Sequence, residues 1–279
     1  MYKTILNGSK QMWSYLWLVA IGVLSIFPFF WMVSSSFKTA EEMQALPPKW
    51  WPSHLTFSAY SEAFHVAALA RAIGNSFIVT GTATLGILVT SIMAGYVFAK
   101  YRFHGKEVLF TGVLATMMIP SFVALVPLYY LFNRLNLLNS YTALILPNIG
   151  NAFGVFLMRQ FIAGIPQELI EAARIDGASE WTILWRVITP LLGPAVATLG
   201  LFAFVFQWNR FLWPLTVINN PHMDTVVLAL NSLVSYTSSV QYGNVVMAGT
   251  VVGILPSVLL FIWLQKYFIR GVAMTGIKG

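Results

Sequence analysis

Six long runs of this sequence carry no charge: residues 11–37, 72–99, 108–133, 135–158, 187–209 and 225–265. A helix of about 20 mostly apolar residues crosses the hydrocarbon of a bilayer, so each run is long enough to span one. The last run exceeds a single helix, and its first part is polar at Asn231, Ser235, Thr237, Ser238, Ser239 and Gln241. The sixth span is therefore expected at about 243–265, with the preceding residues in an outer loop. The others fall at about 13–36, 72–99, 108–132, 138–158 and 190–209. This reading gives an all-α integral membrane protein of one domain, residues 1–279, with six transmembrane helices. Only 9% of the 279 residues are charged, against about 25% in an ordinary soluble domain. A soluble enzyme is excluded on that ground.

Charge placement orients the spans. With the N-terminus in the cytoplasm, Lys3, Lys10, Lys100, Arg102, Lys106, Arg159, Arg174, Arg186, Lys266, Arg270 and Lys278 lie inside. Lys38, Lys49, Arg71, Arg134 and Arg210 lie outside. That asymmetry follows the positive-inside rule, and an even number of spans puts both termini in the cytoplasm. The first span is longer than a signal-peptide core and has no Ala-x-Ala site, which makes it an uncleaved anchor. The formal net charge of +7 then comes from cytoplasmic Lys and Arg, and nucleic acid is not an expected partner.

The acids exclude further classes. Glu41, Glu42, Glu62 and Asp224 fall outside, Glu107 at an interface, and Glu168, Glu171, Asp176 and Glu180 in an inner loop. None lies mid-membrane, where a proton- or sodium-coupled carrier places an ionisable group. A Gly-x-x-x-x-Gly-Lys-Ser/Thr phosphate loop is absent, so the chain cannot hydrolyse a nucleotide alone, and uphill transport would draw its energy from another subunit. Zero cysteines remove thiolate nucleophiles and Cys-based metal sites. His54, His65, His104 and His222 are scattered without metal-ligand spacing. No catalytic or metal residues are expected.

The inner loop, residues 159–189, is the most charged part of the chain. Pro166 suits the start of a helix over 167–175, Gly177 can take the positive φ that ends it, and Ser179 can cap a second helix leading to Pro190. Leu169, Ile170, Ala173 and Gly177 are expected on one face, with Glu171 available for an ion pair. An amphipathic loop lying on lipid headgroups is the plainer reading. The full spacing is more specific: Glu171-Ala172-Ala173, Gly177 four residues after Ala173, Val187 ten further on, and Pro190 three beyond.

That arrangement resembles the "EAA" loop of ABC importer permeases, Glu-Ala-Ala-x3-Gly-x9-Ile-x-Leu-Pro, with Val187 and Thr189 as departures. The resemblance extends through Asn75-Ser76, Tyr101-Arg102-Phe103-His104-Gly105-Lys106, Met118-Ile119-Pro120, Pro127-Leu128 and Asp176-Gly177-Ala178-Ser179. It continues in Trp208-Asn209-Arg210-Phe211-Leu212-Trp213-Pro214 and in the tail from Gln265 to Gly279. These features are similar to the carbohydrate-uptake class, of the maltose-permease MalG type.

The resemblance implies a prokaryotic, multi-pass plasma-membrane permease subunit that is not itself an enzyme. It also implies a homologous permease, two ATP-binding subunits and an extracytoplasmic solute-binding protein as partners. ATP and magnesium would bind the partner subunits, with no cofactor on this chain. Glu171, Ala172, Ala173, Asp176 and Gly177 would form the ATPase-coupling site, and Arg270, Lys278 and Gly279 a C-terminal ATPase contact. Asn219, Asn220 and Pro221 would form a loop reaching the binding protein.

Asn148, Asn151, Gln207 and Asn209 are uncharged hydrogen-bonding groups that could line a pathway for a polyhydroxylated solute, or bond helix to helix. Gly150 to Gly154 and Gly249 to Gly253 match Gly-x-x-x-Gly, read as packing. Two rivals to a sugar permease are a permease for amino acids, peptides or polyamines and a membrane-embedded enzyme. The latter lacks a mid-span acid or a nucleophile–base pair.

Overall fold

The computed structural model describes the backbone of residues 2–236 and 242–276, and side chains for 12–235 and 242–266. Every regular element among them is helical, and they group into two compact units.

The first unit comprises residues 1–69 and 230–254. It holds α1 (Tyr2–Ser36), α2 (Ala40–Gln44) and α3 (Ser58–Val66). Parts of α14 (Val226–Tyr236) and α15 (Gly243–Gly276) belong to it as well. The apolar stretch of α1, Met12–Ser36, is exposed along most of its length. After it, the chain between α1 and α3 folds around Lys38, which is only 1% exposed. Its ammonium donates to the Lys49 carbonyl at 2.6 Å and to Ser35 Oγ at 3.3 Å, and lies 3.9 Å from the Trp31 ring centre. Burial lowers the Lys38 pKa, and Glu42 opposes that shift. Glu42 closes a capping box with Thr39 and accepts from the Ser53 N–H at 2.8 Å. Hydrogen bonds from Ser53 pull its carboxyl down to about 2.

Lys38→Met keeps the stem but strands the Lys49 carbonyl, a loss of about 1–3 kcal/mol for a buried group without its partner. Trypsin should then cut at Lys49 faster than in the wild type. Unchanged cleavage would show that the ammonium does not hold this segment.

The second unit comprises residues 70–229 and 255–279. Its backbone runs through α4 (Leu69–Lys100), α5 (Lys106–Thr116), α6 (Leu125–Arg134), α7 (Tyr141–Ile145) and α8 (Ala152–Ala163). It continues through α9 (Gln167–Ile175), α10 (Glu180–Thr182), α11 (Thr189–Leu191), α12 (Gly193–Trp208) and α13 (Leu212–Val217). The core gathers Ile87 and Tyr96 of α4, Met158 and Ile162 of α8, Ile170 of α9 and Leu199 of α12, with Ile183 and Ile188. Helix α4 comes very close to α8. A Cβ at Gly95 would lie 2.6 Å from Met158 Cβ and 2.9 Å from the Arg159 backbone nitrogen.

Among the described residues three helices, Met12–Ser36, Leu69–Lys100 and Gly243–Lys266, are long and apolar enough to cross a membrane, and two bent pairs raise the number to five. The expected span at 108–132 is not one helix. It divides into α5 and α6 with residues 117–124 between them, because Pro120 cannot donate to the preceding turn and its ring disfavours a helical Ile119. The expected span at 138–158 bends by 44° after a 3-10 turn at Leu146–Asn148 that contains Pro147.

At the start of the expected span at 190–209, Glu180–Leu191 meets Gly193–Trp208 at 84°, where Gly193 and Pro194 follow Leu192. Just before it, Ile183–Ile188 is a π-helix. The Thr189 N–H reaches the Leu184 carbonyl there, and the Thr189 hydroxyl donates to the same carbonyl at 2.8 Å. Widening that turn makes room for the Pro190 ring, which would clash in an α-helix.

Two smaller expectations are corrected. The polar stretch before residue 243 forms α14 over much of its length instead of a loop. A Cβ added at Gly150 would meet nothing within 4 Å, so only Gly154 of that pair packs closely, against Ser91 and Leu199.

Candidate functional site

The charged inner segment folds as a helix, a tight turn and a second helix. Helix α9 ends in a Schellman turn: the Ala178 N–H donates to the Ala173 carbonyl and the Gly177 N–H to the Arg174 carbonyl, both at 3.0 Å. Gly177 sits at φ +79°, which a side chain would strain. Ser179 Oγ accepts the Thr182 N–H at 3.2 Å and caps α10.

Helix α9 buries Ile170 completely and packs Ala173 on the core. Leu169 does not share that face, contrary to the expectation from sequence: it is 44% exposed, and Ile175 is 86% exposed. Helical spacing therefore puts Leu169, Ala172 and Ile175 on an outward stripe, and Trp181 is exposed beyond the turn. Glu171, Ala172, Asp176 and Gly177 are all exposed. Among the described residues Glu171 makes no ion pair and no side-chain hydrogen bond.

Glu180, which the sequence did not single out, anchors this loop. Its carboxylate accepts from Arg174 Nε at 2.6 Å, from the Tyr96 hydroxyl at 2.7 Å and from the Tyr101 hydroxyl. The Arg174 hydrogen bond pulls the Glu180 carboxyl down to about 2, and the same bond raises the Arg174 pKa. The Lys100 ammonium donates to the Ile165 carbonyl. Arg159 donates to the Phe98 carbonyl at 3.2 Å, pairs with Glu107 at 3.4 Å and stacks 3.9 Å over Phe110.

The candidate solute residues are not brought together as a polar cluster. Asn148 donates to the Leu144 carbonyl at 2.7 Å, Asn151 accepts the Gly154 N–H at 2.7 Å as the cap of α8, and Asn209 donates to the Val205 carbonyl at 2.8 Å. Gln207 is buried. Only Asn151 lines a cavity of about 460 Å³, whose remaining walls are apolar, including Phe153, Phe202 and Phe206.

Asn219, Asn220 and Pro221 lie between α13 and α14. The Asn219 N–H donates to Asn139 Oδ1 at 2.5 Å, and Asn220 Oδ1 accepts the His222 N–H at 3.0 Å over a 3-10 turn begun by Pro221. Of the C-terminal candidates, Lys278 and Gly279 lie outside the described residues, as does the Arg270 side chain. Among the described residues, no group of three or more His, Asp or Glu could hold a metal ion.

The sequence profile of the family described as binding-protein-dependent transport system inner membrane component matches residues 86–274, well over half the chain. The chain belongs to this family. As such an inner membrane component it is a transport subunit and not an enzyme.

It is 36% identical to the arabinooligosaccharides transport system permease protein AraQ of Halalkalibacterium halodurans over 274 residues, covering 94% of this chain and 96% of that one. It is 35% identical to the sn-glycerol-3-phosphate transport system permease protein UgpE of Yersinia pestis over 197 residues, covering 71% and 70%. Its fold matches a chain of a bacterial ABC transporter involved in the import of the acidic polysaccharide alginate. The TM-score is 0.82 at 23% identity, covering 92% of this chain and 96% of that chain.

Proposed function

We propose that the chain is a permease subunit of an ATP-driven importer for a sugar or sugar-derived solute delivered by an extracytoplasmic binding protein. It would act beside a homologous permease and two ATP-binding subunits that carry ATP and magnesium, in a prokaryotic plasma membrane. It would form a single membrane domain of six spans with both termini in the cytoplasm. In this arrangement the segment from α5 to α6 completes the sixth crossing.

The observation that carries the reading is the outer stripe of α9. Among the described residues Glu171 is unpaired; it stands beside the small Ala172, between the exposed Leu169 and Ile175, on a helix whose end is fixed by Gly177. A folded loop that keeps an acid and apolar side chains in solvent suits docking into a basic, partly apolar cleft of an ATP-binding subunit. The tail with Arg270, Lys278 and Gly279 would add a second contact with those subunits. Solute class is supported by the relatives, named for an arabinooligosaccharide and a glycerol phosphate, both polyhydroxylated. Asn148, Asn151 and Asn209 have their side chains engaged with backbone groups, so the partner permease would supply most solute contacts.

Proteoliposomes holding the full transporter and its binding protein should take up arabinooligosaccharides in an ATP-dependent manner and exclude amino acids and dipeptides. Uptake of an amino acid instead would overturn the sugar assignment. In the same vesicles, replacing residues 219–223 with a Gly/Ser linker should lower binding-protein-stimulated ATP hydrolysis at least about tenfold, the scale of a typical coupling energy. Full stimulation would show the segment to be a passive connector.

A further inference from the structure

Two candidate contact segments of the second unit, the 219–226 segment and the α9–α10 loop, are fastened to the same helix, at opposite ends. Near the start of α4, Asn75 and Ser76 are 6% and 1% exposed. Asn75 Nδ2 donates to the carbonyls of His222 and Asp224, each at 2.9 Å, and the Tyr141 hydroxyl fixes the amide by donating to Asn75 Oδ1 at 2.7 Å. The Val226 N–H donates to Ser76 Oγ at 2.7 Å, and Arg71 meets His222 Nδ1. At the far end, Tyr96 and, just past the helix, Tyr101 hold Glu180, and Lys100 holds the Ile165 carbonyl.

Between Ser76 and Tyr96 the helix rises about 30 Å. Of the three long helices, α1 contains Pro28 and α15 contains Pro256, whereas α4 contains no proline, the commonest source of a sharp kink. It packs tightly against backbone and stem atoms at Gly95 and against Ile149 at Gly86, while Gly74 and Gly81 face open space.

We infer that α4 is a rigid rod that carries displacement between the 219–226 segment and the α9–α10 loop, with Asn75 and Glu180 as positioning residues at its two ends. This rests on the coupling role proposed for the α9–α10 loop. A packed helix held at both ends has few ways to absorb a shift at one end. Movement of the loop by the ATP-binding subunits must then reach the 219–226 segment, and the coupling is reciprocal.

The test is amide hydrogen exchange on the assembled transporter, with and without trapping by ATP and vanadate. Trapping should change protection of residues 222–226 in the wild type by about tenfold, within the usual range of allosteric coupling. Tyr96→Phe with Tyr101→Phe removes only the hydroxyls that join α4 to Glu180, and leaves the Arg174–Glu180 pair and the exposed stripe of α9 intact. In that variant the ATP-binding subunits should still co-purify, while the change at 222–226 falls below about twofold. Asn75→Ala, at the other end, should raise exchange there in both states and remove the dependence on trapping.

A wild-type-sized change in the double Phe variant, or no change in the wild type, would overturn the rod. Failure of the ATP-binding subunits to co-purify with the wild-type chain would instead remove the coupling role on which it rests.

Discussion

Replacing Glu171 with Lys is expected to release the ATP-binding subunits while the permease still folds and reaches the membrane. Losing one member of a hydrogen-bonded interfacial charge pair costs roughly 2–5 kcal/mol, much of it from the stranded partner, and a lysine adds repulsion to that loss. The side chain is exposed and makes no intramolecular ion pair among the described residues, so the fold itself should change by no more than about 0.5 kcal/mol. Affinity purification of the tagged permease, with the ATP-binding subunits quantified in the eluate, reads the outcome. Normal recovery of those subunits would count against the coupling assignment.

The largest effect on stability is expected from Gly95→Ala. Alanine favours a helix by about 1 kcal/mol over glycine in isolation. Here the added methyl would overlap Met158 Cβ at 2.6 Å and the Arg159 backbone nitrogen at 2.9 Å. Neither can swing away, so α4 and α8 must separate and loosen the core around Ile87, Tyr96 and Ile162. Overpacking of this kind costs about 1–3 kcal/mol. Gly81 lies on the same helix with nothing within 4 Å of the added carbon, so Gly81→Ala should be neutral or stabilising. The thermal midpoint of purified Gly95→Ala should therefore fall while that of Gly81→Ala holds or rises. A Gly95→Ala protein as stable as the wild type would show that the helices part without loss.

The sequence made the apolar helices and the inner loop legible because both are written in local signals. Charge-free runs mark helices by length alone, and Pro166, Gly177 and Ser179 mark the turn by backbone chemistry that neighbours do not alter. The breaks were harder. Pro120, Pro147, Pro190 and Pro194 were visible, but whether a proline kinks a helix, ends it or is taken up in a widened turn depends on which carbonyls around it find partners.

Helical spacing groups Leu169 with Ile170 and Ala173 on one face, whereas tertiary packing selects Ile170 and Ala173 for the core and leaves Leu169 outside. The anchoring roles of Glu180 and Asn75 were not legible for a related reason. Glu180 meets Tyr96 and Asn75 meets His222 across 84 and 147 residues of chain, and no spacing rule reaches that far. The polar solute candidates were found by residue type, which does not reveal that three of their side chains are engaged with backbone groups.

The interruption at residues 117–124 bears on how the chain is made. A continuous apolar helix satisfies its own backbone and can settle in lipid as soon as it leaves the insertion machinery, whereas a broken one carries carbonyl and amide groups that hydrocarbon cannot accommodate. α1, α4 and α15 need no neighbours for this step. In the six-span arrangement proposed above, the segment from α5 to α6 does, so α4 must already be present as a template when it arrives. Biogenesis is then ordered, and truncations ending between α5 and α8 should be retained by insertion chaperones.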